Sequence, residues 1–217
     1  MTQTYFNKSN KIFLLIYLVC LVICFYPVFY QDKIYLINQY NLPKNNILLP
    51  LFRFLTSLAE GVFITFIIIY FSFKKIKYAL ALLFSVIVSG IFAQFFKKVI
   101  FSDHFRPYYY LKNNNNLSWM DIHEKIEYFS FPSGHTTSAF ALFFVLIFIS
   151  SKTWLKSFLF ILMILVGISR VYLFQHFHRD IYAGSILGTL FAILSLPILK
   201  SKKNFMQKPV NELFSKK

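Results

Sequence analysis

Charge is scarce in this chain of 217 residues, and acid is scarcer still: Asp and Glu together number 8, against 23 Lys and Arg. Charged residues make up 14% of the sequence, where a soluble domain carries about 25%. With 57% hydrophobic and 21% aromatic residues, that shortage excludes an ordinary water-soluble globule. Glycine and proline are also few, 6 and 7. Soluble β-sandwich strands need turn signals every few residues, and the long apolar runs contain none. Cys20 and Cys24 are the only cysteines. They lie on one face of one apolar run and read as small buried hydrophobes, silent about redox compartment. No small-residue cleavage pattern follows the first apolar run, so no removed signal peptide is expected, and no repeat of 20–50 residues is present. The net charge of +15 sits in short segments between apolar runs. A nucleic-acid binder would gather it on a soluble face, so nucleic acid is excluded as a partner.

What the chain does have is length of apolar sequence. Crossing the hydrocarbon of a bilayer as helix takes about 20 residues. Six runs come near that: Ile12–Tyr30, Phe54–Phe73, Tyr78–Phe96, Gly134–Ser151, Leu155–Leu173 and Ile181–Leu199. The expected fold is all-α, a polytopic membrane protein built as a six-transmembrane-helix bundle. It is expected to be one domain over residues 1–217, with a core at about 54–199 and a basic tail at 200–217. An even number of spans puts both termini on one side. Thirteen lysines and one acid, Glu212, fall on that side, against ten basic and seven acidic residues on the other. Basic residues accumulate in cytoplasmic loops, so both termini are expected in the cytoplasm of a cell whose inner membrane holds the protein. The segments 31–53, 97–133 and 174–180 then face outward. The basic tail fits a topology signal, with anionic lipid as a possible neighbour.

Three polar clusters fall on the outward side. The first is Lys97, Lys98 and Arg106-Pro107. The second is Pro132-Ser133-Gly134-His135, at the start of the fourth span. A helix N-terminus offers unsatisfied N–H groups and the positive end of the dipole to an anion. Gly134 allows close backbone approach, and His135 can move a proton near neutral pH. The third cluster is Ser169-Arg170, then His176 and Asp180. The last two are four apart, one helical turn, so Asp180 can fix the His176 tautomer and leave its other nitrogen as a nucleophile. Arg binds phosphate oxygens bidentately and Lys acts as a point charge; cations of this kind stabilise a transferring phosphoryl group.

Pro132-Ser133-Gly134-His135, and Ser169-Arg170 followed by His176 and Asp180, closely resemble the second and third motifs of the type 2 phosphatidic acid phosphatase superfamily. The third motif matches at every fixed position and spacing. In the first motif the family places six residues between Lys and Arg-Pro. Here seven separate Lys98 from Arg106, and eight separate Lys97; Lys98 is the expected lysine, Lys97 the alternative. The resemblance implies a membrane lipid phosphatase that works without metal or other cofactor. In that mechanism His176 attacks phosphorus and forms a phosphohistidine. Asp180 orients His176, and His135 protonates the leaving group. Lys98, Arg106, Ser133, Gly134 and Arg170 hold the phosphate. The implied partners are a phosphorylated lipid substrate and the surrounding membrane lipids. Bacterial relatives act on undecaprenyl diphosphate, phosphatidylglycerophosphate, phosphatidic acid or lipid A phosphates, the lipid diphosphate standing first on abundance alone. A lipid phosphotransferase would carry the same motifs. A phospholipid transporter would need buried mid-span charges, of which Glu60 in the second run is the one candidate.

Other features carry weaker readings. His176-Phe-His178-Arg-Asp180 also has a metal-ligand spacing, but no further histidine follows; His178 is expected at the membrane interface. His104 and His123 are expected at the surface. Gly184 and Gly188 form a small-xxx-small pair suited to close helix packing inside the bundle. Tyr108–Tyr110, Trp119 and Met120 suit headgroup level and could form an interfacial lid.

Overall fold

The computed structural model describes residues 5, 7–40, 46–112 and 126–214. Trp119, Met120, His123 and the Asn113–Asn116 run lie outside the described residues. Among the described residues there is no strand, and the fold is all-helical. Among these residues, four helices are long and apolar enough to cross a membrane: α1 (Lys8–Tyr30), α5 (Ile76–Phe95, continued to Ile100), α8 (Thr153–Tyr172) and α9 (His178–Leu194, continued to Lys200). The bent pair α3 (Leu48–Ser57) and α4 (Gly61–Ser72) is together apolar enough to count as a fifth if its halves form one span. The sixth apolar run is α7 (Gly134–Ile149), only 16 residues long. Two short helices, α2 (Lys33–Tyr40) and α6 (Pro107–Leu111), lie at the end of the bundle that carries the motifs.

The second run therefore departs from the continuous span expected of it. Its two halves meet at 50°, and Glu60 sits in the break with extended backbone, N-terminal to α4. Glu60 thus lies at a break between two helices rather than inside one continuous helix. It is exposed at the bend. Gly61 directly after it, a poor helix residue, is the local reason the helix restarts there.

α7 is the axis of the bundle. From Ala139 to Phe148 every residue is buried, since α5, α8 and α9 surround it. An apolar helix with no lipid-facing side needs no length to match the bilayer, because protein rather than lipid covers its ends. Its closest neighbour is α9, and the two glycines of α9 are the reason. A Cβ on Gly188 would stand 2.3 Å from the Thr137 carbonyl oxygen, and one on Gly184 2.7 Å from that of Ser133. The small-xxx-small pair thus serves packing within the bundle. A second, smaller core gathers Ile37, Leu111, Val171, Phe174 and Phe177. It joins α2 and α6 to the turn between α8 and α9. Phe174 is fully buried there with φ of 55°, a left-handed conformation that bulky residues rarely adopt.

The opposite end is fastened by lysines and by the tail. Lys156 Nζ donates to Asn10 Oδ1 at 2.5 Å and to Ser9 Oγ at 3.1 Å, tying α8 to the start of α1. The tail does more than carry charge: Ile76 N–H donates to Lys208 O and Val210 N–H to Ser72 O, each at 3.0 Å. These bonds fold it over the α4–α5 turn.

Candidate active site

The motif residues converge on one cavity of about 420 Å3. Its floor comes from the turn between α8 and α9. The N–H groups of Gln175 and His176 both donate to Arg170 O, at 2.9 and 3.2 Å, which curls the chain back over the end of α8. His176 is 1% exposed. Its Nδ1 faces Asp180 Oδ2 at 3.4 Å, a long contact of the kind that tightens only around a bound substrate. With Nδ1 turned to the carboxylate, Nε2 is the ring nitrogen left for chemistry. Asp180 is itself held: its Oδ2 accepts the Ser130 hydroxyl and the Phe177 N–H at 2.9 Å. At the third position of α9, its side chain caps that helix and faces the histidine ring.

The second wall is the start of α7. Ser133 is its N-cap; its hydroxyl accepts from Thr136 N–H at 3.4 Å and from Thr136 Oγ1 at 3.0 Å. Ser133 N–H donates to Asp180 O at 3.0 Å, so the first turns of α7 and α9 are joined by backbone. Gly134 and His135 line the cavity, whereas Ser133 is fully buried behind them.

The third wall is α5. Gly90, Ala93, Gln94 and Lys97 all line the cavity, at the i, i+3, i+4, i+7 spacing of one helical face. The helix then passes into a π-turn over Phe96–Ile100. Such turns take in one extra residue and recur at functional sites. Lys97 is 7% exposed, and its Nζ lies 4.0 Å from where a Cβ on Gly134 would be. Lys98, the lysine expected from the sequence, points away and is exposed. It is not brought to the cavity.

Arg106 and Arg170 complete the cationic side, 9% and 4% exposed. Arg106 donates to Gln175 Oε1 at 2.7 Å and through Nε to Tyr128 O at 3.2 Å. Arg170 Nη1 donates to Thr56 Oγ1 at 2.6 Å. Three buried cations and a helix N-terminus thus face one space. Among the described residues, the one acid lining it is Glu60. Burial first, then Arg106, Arg170 and Lys97, push the His176 pKa well below its ordinary 6.5. The histidine is held neutral, the form in which an imidazole is a nucleophile.

Lys97, Ser130, Gln175 and Thr56 belong to this site without having been singled out in it, except Lys97 as the alternative to Lys98. For Lys97 the helical register with Gly90 and Ala93 was a signal. For the other three, bonded across distant segments, there was none. His178 is half-buried on the other side of α7, against an apolar crevice of about 350 Å3 with Tyr17 and Phe140. Among the described residues no three His, Cys, Asp or Glu side chains are grouped to hold a metal ion.

The profile of the PAP2 superfamily matches residues 78–203 of the chain. The bacitracin transport permease protein BcrC of Bacillus licheniformis is 32% identical over 130 residues, which cover 58% of this chain and 60% of that protein. The chain thus spans less than two thirds of the length of this curated relative. Two crystal structures share the fold. LpxE of Aquifex aeolicus aligns with a TM-score of 0.63 at 24% identity, over 76% of this chain and 92% of that one. The transmembrane PAP2-type phosphatidylglycerolphosphate phosphatase of Bacillus subtilis aligns with a TM-score of 0.64 at 22% identity, over 92% and 100%.

Proposed function

Because the chain belongs to the PAP2 superfamily, we propose that it hydrolyses a lipid phosphate or lipid diphosphate through a phosphohistidine on His176. One observation carries the reading: Lys97, Arg106 and Arg170 surround the cavity that His176 enters with its Nδ1 held by Asp180. A phosphate dianion among these cations meets the His176 Nε2 lone pair. The P–N bond forms as the P–O bond to the lipid breaks, and the bonding pair stays on the leaving oxygen. His135 gives that oxygen its proton. Water then displaces the phosphate from His176, returning a proton to His135. The cations supply the charge that a metal ion supplies in other phosphatases. Lys97 takes the phosphate-binding role expected of Lys98, and Ser133 acts by holding the α7 N-terminus toward the anion.

A lipid substrate fits the third wall. A Cβ on Gly61 or Gly90 would meet nothing within 4 Å, so the space between α4 and α5 has room for a headgroup arriving sideways. The lysine bias supports a position of this end of the bundle at the outer leaflet. The similar phosphatidylglycerolphosphate phosphatase of Bacillus subtilis suggests phosphatidylglycerophosphate as a substrate to try first, and the family resemblance adds the undecaprenyl diphosphate carrier. The test is phosphate release by purified protein in excess chelator, across those two lipids, phosphatidic acid and lipid A. His176→Ala is expected to release none and to trap no phosphoenzyme. Full activity in that variant, or no release by the wild type from any of the four, overturns the proposal. Release only when an alcohol acceptor is added would make the protein a phosphotransferase.

A further inference from the structure

Among the described residues, Glu60 is the one acid on the wall of a cavity otherwise built for an anion. It is not spent on its own helix: as N-cap of α4 its side chain makes no capping hydrogen bond. Instead its Oε1 stands 3.9 Å from His135 Nε2, beyond hydrogen-bond length but well within ionic range. The bend between α3 and α4 is what carries it there. A straight helix would leave the Glu60 backbone inside a span and its side chain subject to that helix's register.

A carboxylate beside a phosphate site is repulsive unless it lies on the side where no phosphate charge develops. The phosphate is placed by Lys97, Arg106 and Arg170, and attack from His176 sends the leaving group away from His176, toward His135. Glu60 stands against His135. Resting on the phosphatase reading above, we propose that Glu60 is a positioning residue that sets the leaving-group preference of the enzyme toward neutral alcohols over phosphates. Two effects of one charge act in the same direction. The Glu60 carboxylate opposes the three cations around His135, and so favours the protonated imidazole that an alkoxide leaving group needs. It also repels a leaving group that is itself a phosphate anion, as in a diphosphate. An alkoxide needs the proton; a departing phosphate needs it less and meets the carboxylate with like charge.

The experiment compares farnesyl phosphate with farnesyl diphosphate in detergent micelles, two probes with one chain and different leaving groups. Wild type and Glu60→Gln are assayed for kcat/KM on both, with vanadate inhibition as the check that the anion pocket is intact. The expected result is that Glu60→Gln loses about tenfold on the monophosphate, part of the about 10²–10⁴-fold that general-acid help is worth. On the diphosphate it is expected to hold or gain, with vanadate binding no weaker. Glu60→Asp, one methylene shorter, should fall between the two. An unchanged ratio between the substrates, or a parallel loss on both with vanadate binding preserved, overturns the proposal while leaving the phosphatase reading in place. Loss of vanadate binding in Glu60→Gln would overturn it too, since Glu60 would then support the anion pocket itself. No phosphate release by the wild type from either probe would instead count against the phosphatase reading.

Discussion

Arg170 donates from Nη1 to the Thr56 hydroxyl at 2.6 Å, a bond that joins the last turn of α8 to the last turn of α3. It helps hold a buried guanidinium toward the cavity. A hydrogen bond to a charged group is worth about 1.5–3 kcal/mol. Thr56→Val keeps the volume and removes the acceptor. The expected outcome is at least about a tenfold rise in the vanadate inhibition constant and in KM, by the same magnitude, with a smaller change in kcat. Titration of inhibition by vanadate reads it directly; an unchanged constant would show that Arg170 does not need the bond.

The two lysines of the first motif separate cleanly. Lys97 is buried at the cavity and Lys98 is exposed on the far side of the π-turn. Lys97→Ala is expected to lower kcat/KM by about 10²-fold or more, the scale of losing one preorganised charge-stabilising donor. Lys98→Ala is expected to stay within about twofold of wild type, as surface changes do. Steady-state kinetics on one lipid substrate settles it; the opposite pattern would mean that the π-turn unwinds in the working enzyme.

The state of His176 gives a pH signature in stability. Its folded pKa lies well below 6.5, while the unfolded chain titrates near the ordinary value of about 6.5. The unfolded state therefore binds a proton that the folded state refuses. This contribution to stability is complete above about pH 6.5 and is lost as pH falls toward the folded value. The thermal midpoint in detergent should drop on acidification below that point, and less steeply in His176→Gln. Parallel slopes for the two proteins would contradict the buried neutral histidine.

Gly188 is expected to be the least replaceable small residue in α9. Its Cβ position is 2.3 Å from Thr137 O and 2.8 Å from the Phe140 Cβ, and backbone cannot step aside as a side chain can. Gly188→Ala should destabilise by the upper part of the about 1–3 kcal/mol typical of overpacking, or more. At Gly90, where the same carbon meets open space, an alanine should leave stability nearly unchanged. Detergent-solubilised melting curves for the two variants compare them, and equal midpoints would sink the packing argument.

Much of the site was legible because its chemistry is local. His176 and Asp180 share one helical turn, Ser133-Gly134-His135 announces a helix start, and Gly184 and Gly188 are one turn apart. Periodicity and spacing act within such distances. Thr56, Ser130 and Gln175 were not legible, because each earns its place through a partner 50 to 114 residues away. Lys98 was preferred over Lys97 by counting along the chain, and the π-turn changes how a count maps to a direction. The break at Glu60 was hidden for a related reason. The apolar run around it is continuous, and beyond Gly61 the bend also rests on contacts of α3 with α8 and of α4 with α5, which no single segment encodes. The shortness of α7 is tertiary as well, since a helix covered on all sides is not measured against the bilayer.

The interlock of α7 with α9 divides labour within the protein. His135 rides on one of these helices, and Asp180 with the adjoining His176 on the other. Gly184 and Gly188 leave no slack between the two, so the two histidines of the proposed reaction are held together as one jaw. The opposing jaw, α3 to α5, is bent at Glu60 and vacant at Gly61 and Gly90. Substitutions at Gly61 and Gly90 can therefore reshape the space on that side without disturbing the packing of α7 against α9.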